Sequence, residues 1–103
     1  MIVRVFRARC KQGQEAAFEA LLRRESIPAM ARARGLLALY PGRPVTRSGE
    51  FVMVSIWSTE DALHAFAGED YERPILFGDE ATVVESCDVV HFEAFGVDGA
   101  EED

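Results

Sequence analysis

Phe51-Val-Met-Val-Ser-Ile-Trp57 is apolar on both of its faces. A strand covered on one side only alternates apolar with polar residues at a period of two. Here Val52, Val54 and Ile56 point one way, and Phe51, Met53, Ser55 and Trp57 point the other. The remaining chain supplies helices for one sheet face. The other face is therefore expected to be covered by a second copy of the chain, giving a homodimer with an enclosed cavity.

Outward from this stretch the elements follow in order. Ile2 to Cys10 alternates loosely and ends at Lys11-Gln-Gly13, a strand and its turn. From Gln14 the period becomes helical, with Phe18, Leu21, Leu22 and Glu25 on one face and Ala17 beside them. Ser26-Ile-Pro28 predicts a kink and a short continuation from Met30 to Arg34, closed by Gly35. Gly35 to Tyr40 reads as the second strand, and Pro41-Gly-Arg-Pro44 with Arg47-Ser-Gly49 as turn signals. Ser58-Thr-Glu-Asp61 resembles a capping box and opens a helix that stops at Gly68. Asp70 to Asp79 is irregular but holds Tyr71, Ile75, Leu76 and Phe77, apolar enough to dock. A fourth strand runs from about Val83 to Phe95. The order βαββαβ predicts an α+β, ferredoxin-like antiparallel sheet with helices on one face.

The chain has 103 residues, one domain over 1–96 followed by an acidic tail, 97–103, expected to be disordered. That tail carries Asp98, Glu101, Glu102 and Asp103, so the formal charge of −7 overstates the acidity of the body. Arg4, Arg7, Arg9 and Lys11 interleave on one strand instead of forming a basic stripe, which argues against nucleic acid. Arginine far outnumbers lysine, the bias of a GC-rich bacterial genome. No apolar run approaches the ~20 residues of a membrane span, and Met1-Ile-Val-Arg-Val lacks a signal-peptide layout. No membrane partner and a cytoplasmic location are expected. Cys10 and Cys87 have no metal-type spacing, and no metal or other cofactor is expected.

Aligning the first and fourth strands sets Cys10 opposite Cys87, Phe6 opposite His91, Arg4 opposite Glu93 and Ile2 opposite Phe95. Val3, Val5, Val52, Val54, Ile56, Val90 and Phe92 are then expected under the helices. The open face would carry Arg4, Phe6, Ala8, Cys10, Met53, Ser55, Trp57, Cys87, Val89, His91 and Glu93, joined by Tyr40. Such a mainly apolar face with a few convergent polar groups suits a small-molecule pocket or a dimer contact.

The βαββαβ order resembles the antibiotic biosynthesis monooxygenase domain family, within the dimeric α/β barrel superfamily. So do the Pro28-containing helix leading to Gly35-Leu-Leu, the glycine and glutamate before Phe51-Val, and Trp57-Ser-Thr-Glu-Asp-Ala at the strand-to-helix junction. The resemblance extends to Phe95. It implies two sheets packed face to face across a two-fold axis, with a pocket in each half of the barrel. Some relatives oxidise phenols or quinols with molecular oxygen and no metal or flavin; others degrade haem or isomerise lactones. The haem-degrading branch uses an asparagine on the first strand and a histidine about ten residues past the tryptophan. This chain has no asparagine, Ala67 stands ten residues after Trp57, and His64 is expected to face solvent. Haem degradation is disfavoured.

His91 is the candidate base, since its ordinary pKa of about 6.5 suits abstraction from an acidic phenol. Arg4 would steady the resulting anion, while Phe6, Tyr40, Met53, Ser55, Trp57 and Glu93 would bind an aromatic ligand. Three readings stand at this point: a cofactor-independent monooxygenase, a dimeric binding or stress-associated module without turnover, and a face filled by its own side chains. In the last, His91 is a packed residue, Arg4 and Glu93 neutralise each other, and Trp57 plugs the strand end.

Overall fold

The third strand, β3 (Glu50–Trp57), lies inside a four-stranded antiparallel sheet built with β1 (Ile2–Cys10), β2 (Leu36–Gly42) and β4 (Val84–Glu93). The strands run in the order β2-β3-β1-β4, the ferredoxin-like arrangement. This computed structural model describes residues 1–46 and 49–96; the acidic tail 97–103 and Arg47-Ser48 of the expected turn lie outside the described residues.

Helical segments cover one face: α1 (Glu15–Leu21), a π-helical turn (Leu22–Ser26), α2 (Ile27–Ala31) and α3 (Glu60–Ala67). The kink expected at Ser26-Ile-Pro28 takes the form of that π-helical turn. Pro28 has no N–H to return to Arg24, so the preceding ladder widens without breaking. Thr59 caps α3 by accepting the Ala62 N–H at 3.0 Å. Gly35 adopts φ 84°, and a Cβ there would stand 2.5 Å from Ala62 Cβ. Only glycine lets β2 begin this close to α3. A 3-10 turn at Gly78–Thr82, unforeseen in the sequence, precedes β4.

The face assignment reverses. Phe51, Met53, Ser55 and Trp57 are buried beneath Phe18, Leu21, Leu22, Met30 and Leu63, together with Arg4, Ala8 and Cys10. Val3, Val5, Val52, Val54, Ile56, Val90 and Phe92 form the open face instead, with Phe92 56 % and Tyr40 63 % exposed. A period of two names two faces but cannot say which is covered when both are apolar. Helices leave uneven gaps over a sheet, and the long or aromatic side chains Phe51, Met53 and Trp57 fill them. Phe18 meets Phe51 edge-on at 5.1 Å, a contact worth about 1 kcal/mol beyond its buried area.

The register of β1 with β4 is also corrected, by two residues. Arg4 lies opposite His91, Phe6 opposite Val89, Ile2 opposite Glu93 and Ala8 opposite Cys87. Cys10 faces Val84 beyond a bulge, so the two cysteines are not partners across the ladder, and both are free thiols. The cross-strand ion pair joins Arg7 to Asp88, with Nη2 2.9 Å from Oδ2, in place of Arg4 with Glu93. No helix among the described residues is long and apolar enough to cross a membrane.

Candidate functional site

Arg4 is the buried cation of the sheet, 3 % exposed on the helix-covered face. Its Nη1 donates to the Tyr71 carbonyl at 2.7 Å and lies 2.8 Å from His91 Nε2. A guanidinium has no acceptor, so Nε2 must be the acceptor and the imidazole is neutral, with its hydrogen on Nδ1. Burial and, after it, the neighbouring Arg4 charge lower the His91 pKa below its ordinary value, consistent with that state. Burial also lowers the Arg4 pKa, yet the group remains charged at physiological pH.

No carboxylate among the described residues neutralises Arg4. Its Nε and Nη2 hydrogens have no protein partner there, and no buried side-chain nitrogen is left unsatisfied. Arg4 borders a cavity between helices and sheet. Arg4, Phe6, Met53 and Ser55 form its floor, Leu22, Ser26 and Met30 one wall, and Phe66, Ile75 and Phe77 the roof. The cavity is small, about 20 Å³, room for about one water. A ring would enter only as the roof moves.

Beyond Phe66 of α3, the roof comes from the irregular segment Tyr71 to Phe77. The Tyr71 ring packs edge-on against His91 at 4.9 Å and against His64 at 5.5 Å. His64 is thus half-buried beside an aromatic ring instead of facing solvent. The Tyr71 hydroxyl donates to Glu60 at 2.5 Å, which raises its pKa. At the far end of the segment the buried Glu80 accepts the Phe77 N–H through Oε1 at 2.8 Å, and Ser26 Oγ donates to its Oε2.

Of the residues singled out in the sequence, Arg4 and His91 are in contact, and Phe6, Met53 and Ser55 line the Arg4 cavity. Trp57 is fully buried behind it. Its Nε1–H donates to Ser55 Oγ at 2.9 Å, and its ring stacks on Phe66 at 5.1 Å. Tyr40 and Glu93 are not brought there; they border a separate cavity with Met1, Val3 and Ile56. Sequence reasoning passed over Ser26, Phe66, Tyr71, Phe77 and Glu80. The apolar residues between Asp70 and Asp79 gave the only signal, that of a docking segment. Cys10 is buried, which pushes its thiol up to about 11, and among the described residues no group of three or more His, Cys, Asp or Glu could hold a metal ion.

A ferredoxin-like sheet with one apolar open face, and a cavity floored by a buried arginine under its helices, defines a class of small α+β proteins. The antibiotic biosynthesis monooxygenase profile matches residues 1–73, and the chain belongs to that family. Solved structures carry the likeness across the fold. SnoaB, a cofactor-independent oxygenase from Streptomyces nogalater, is 19% identical, with 93% of this chain and 94% of that one covered at a TM-score of 0.70. PA3566 from Pseudomonas aeruginosa is 18% identical over 92% and 94% of the two chains, TM-score 0.69. MhuD, solved with manganese protoporphyrin IX in its active site, is 18% identical over 96% and 100%, TM-score 0.69. Comparison with curated proteins gives no match.

Proposed function

We propose that this protein is a cofactor-independent monooxygenase acting on a small phenol or quinol, and that it works as a homodimer. The observation that carries the reading is Arg4: a buried cation with no carboxylate partner among the described residues, lining a largely apolar cavity. Such a site favours an aromatic anion over its neutral form.

His91 is the base in this proposal. As the substrate hydroxyl takes the place of Arg4 Nη1 at Nε2, its proton passes to the imidazole, and the phenolate oxygen lies between guanidinium and imidazolium. The phenolate gives one electron to O₂, and the phenoxyl radical and superoxide combine at a ring carbon bearing hydrogen. The resulting hydroperoxide loses that hydrogen as a proton while its O–O bond breaks. One oxygen stays as a quinone carbonyl and the other leaves as water, so phenol and O₂ give quinone and H₂O without an external reductant. Phe66, Ile75 and Phe77 would exclude water from the radical pair.

The dimer is supported by the open sheet face, where Val3, Val5, Val54, Ile56 and Phe92 make an apolar centre and Arg7 and Asp88 a charged edge. A non-catalytic binding protein of the same fold is the second reading, favoured by the engagement of His91 Nε2 with Arg4. Oxygen uptake with 1-naphthol separates the two. Turnover to 1,4-naphthoquinone with one atom of ¹⁸O from labelled O₂, abolished in His91→Ala and Arg4→Met that remain folded, is expected. Oxygen uptake no faster than in buffer, with naphthol still bound, would leave only the binding reading.

A further inference from the structure

We infer that Ser26, backed by the buried Glu80, is an acceptor-only recognition point in the Arg4 cavity, so that the preferred ligand carries an anionic oxygen for Arg4 and a hydrogen-bond donor for Ser26. This rests on the proposed reading of Arg4 as the anion holder. Two features of the fold bring the pair together. The π-helical turn ending at Ser26 holds that residue in the cavity wall, and the 3-10 turn at Gly78–Thr82 holds Glu80 behind it. Both residues are buried, Ser26 at 4 % and Glu80 at 1 % exposure.

The direction of each hydrogen bond is fixed by its partners. Glu80 Oε1 accepts the Phe77 N–H at 2.8 Å, and Oε2 accepts from Ser26 Oγ. An ionised carboxylate can only accept, and a hydroxyl has one hydrogen, so the Ser26 hydrogen is committed to Glu80. The two lone pairs of Ser26 Oγ have no donor among the described residues. A group reaching Ser26 from the cavity must therefore donate. A group reaching Arg4 must accept, because a guanidinium has hydrogens alone. Beside Ser55, whose Oγ accepts from Trp57, the two other polar residues of the cavity thus have opposite demands, which a monoanionic hydroxy-aromatic satisfies and its ether or halogen analogue does not.

Three redox-stable probes test this by titration calorimetry. 4-Hydroxybenzoate offers anion and donor, 4-fluorobenzoate has its size without the donor, and 4-methoxybenzoate ends in an acceptor. The wild-type protein should bind the hydroxy compound ~10–100-fold more tightly than either analogue. Ser26→Ala should bring the hydroxy and fluoro compounds to within about twofold, whereas Ser26→Thr keeps the preference. Glu80→Gln gives an independent arm that leaves Ser26 in place. The Phe77 N–H holds the amide oxygen, which turns the amide NH₂ toward Ser26 and frees the serine hydrogen for the cavity. In that variant 4-methoxybenzoate should overtake 4-fluorobenzoate.

Arg4→Met should weaken all three probes equally. If it leaves every affinity unchanged while the serine contrast persists, the anion-holding role fails and the acceptor role of Ser26 stands. If the probes bind through Arg4 but the wild-type protein shows no preference for the hydroxy compound, or the preference survives Ser26→Ala, the inference is overturned and the Arg4 reading is kept. Absence of binding by all three would overturn both.

Discussion

Glu80 is a buried carboxylate with no cation among its partners in the described residues, and its removal gives a quantitative test of how the cavity wall is held. Glu80→Leu deletes both acceptors and orphans the Phe77 N–H and the Ser26 O–H. Each unsatisfied buried donor costs about 1–3 kcal/mol, and the serine can turn its hydrogen toward the cavity, so the gross cost is about 2–4 kcal/mol. Relief of the buried carboxylate returns part of this, leaving a net loss of ~1–3 kcal/mol. Glu80→Gln keeps both hydrogen bonds and carries no charge, so it should fall within ~1 kcal/mol of wild type at pH 7, on the stabilising side. The pH dependence supplies the sign. Burial, reinforced by nearby Glu25, raises the Glu80 pKa above its ordinary 4.5, outweighing the hydrogen bonds that lower it. The folded protein then holds this proton more tightly than the unfolded chain, so the Glu80 contribution is full below pH 4.5 and lost as pH rises through the folded value. Urea melts of the three proteins between pH 4 and 8 should show Glu80→Gln gaining on wild type as pH rises. Parallel wild-type and Glu80→Gln profiles, or equal losses in Glu80→Gln and Glu80→Leu at pH 7, would refute the reasoning.

The His91 pKa lies below 6.5, so NMR titration should find its ring more than half neutral at pH 6.5, and Arg4→Met should raise the value without restoring it, because burial is the larger cause. The same shift has a stability sign: the His91 contribution is present above pH 6.5 and lost as pH falls through the folded pKa, and the acid limb of turnover should lie below 6.5. Gly35→Ala meets both positive φ and the Ala62 contact and should cost ~2–4 kcal/mol in urea melts, against ~1 kcal/mol for Gly13→Ala, where φ is 81° but nothing lies within 4 Å. Val54→Lys on the open face should convert a dimer into a folded monomer by native mass spectrometry; a dimer unchanged by it would place the contact elsewhere.

The element order was legible because its signals are local. Gly68 at the end of α3, the polar run Ser58-Thr-Glu-Asp61 before it and the change of period at Gln14 act within a few residues, whereas α2 ends at Ala31, ahead of the expected stop at Gly35. The pairing of Arg4 with His91 was not, since it depends on a two-residue slip along β4 that keeps every side chain on its face. Arg7 with Asp88 offered as good a charge match as Arg4 with Glu93, and cross-strand charge alone cannot choose between registers.

The chain by itself determined an α+β sheet with two apolar faces, the family, and a set of residues sharing one side: Arg4, Phe6, Met53, Ser55 and His91. Alternation in a strand is a local property, carried by the backbone pleat. Only the tertiary structure decided that this side faces the helices, that Tyr40 lies across the sheet from Arg4, and that Ser26, Tyr71 and Glu80 complete the cavity. Those residues come from segments with no period of their own. Their positions follow from which buried donors and acceptors must find one another, a condition satisfied across 54 residues between Ser26 and Glu80 and 67 between Arg4 and Tyr71.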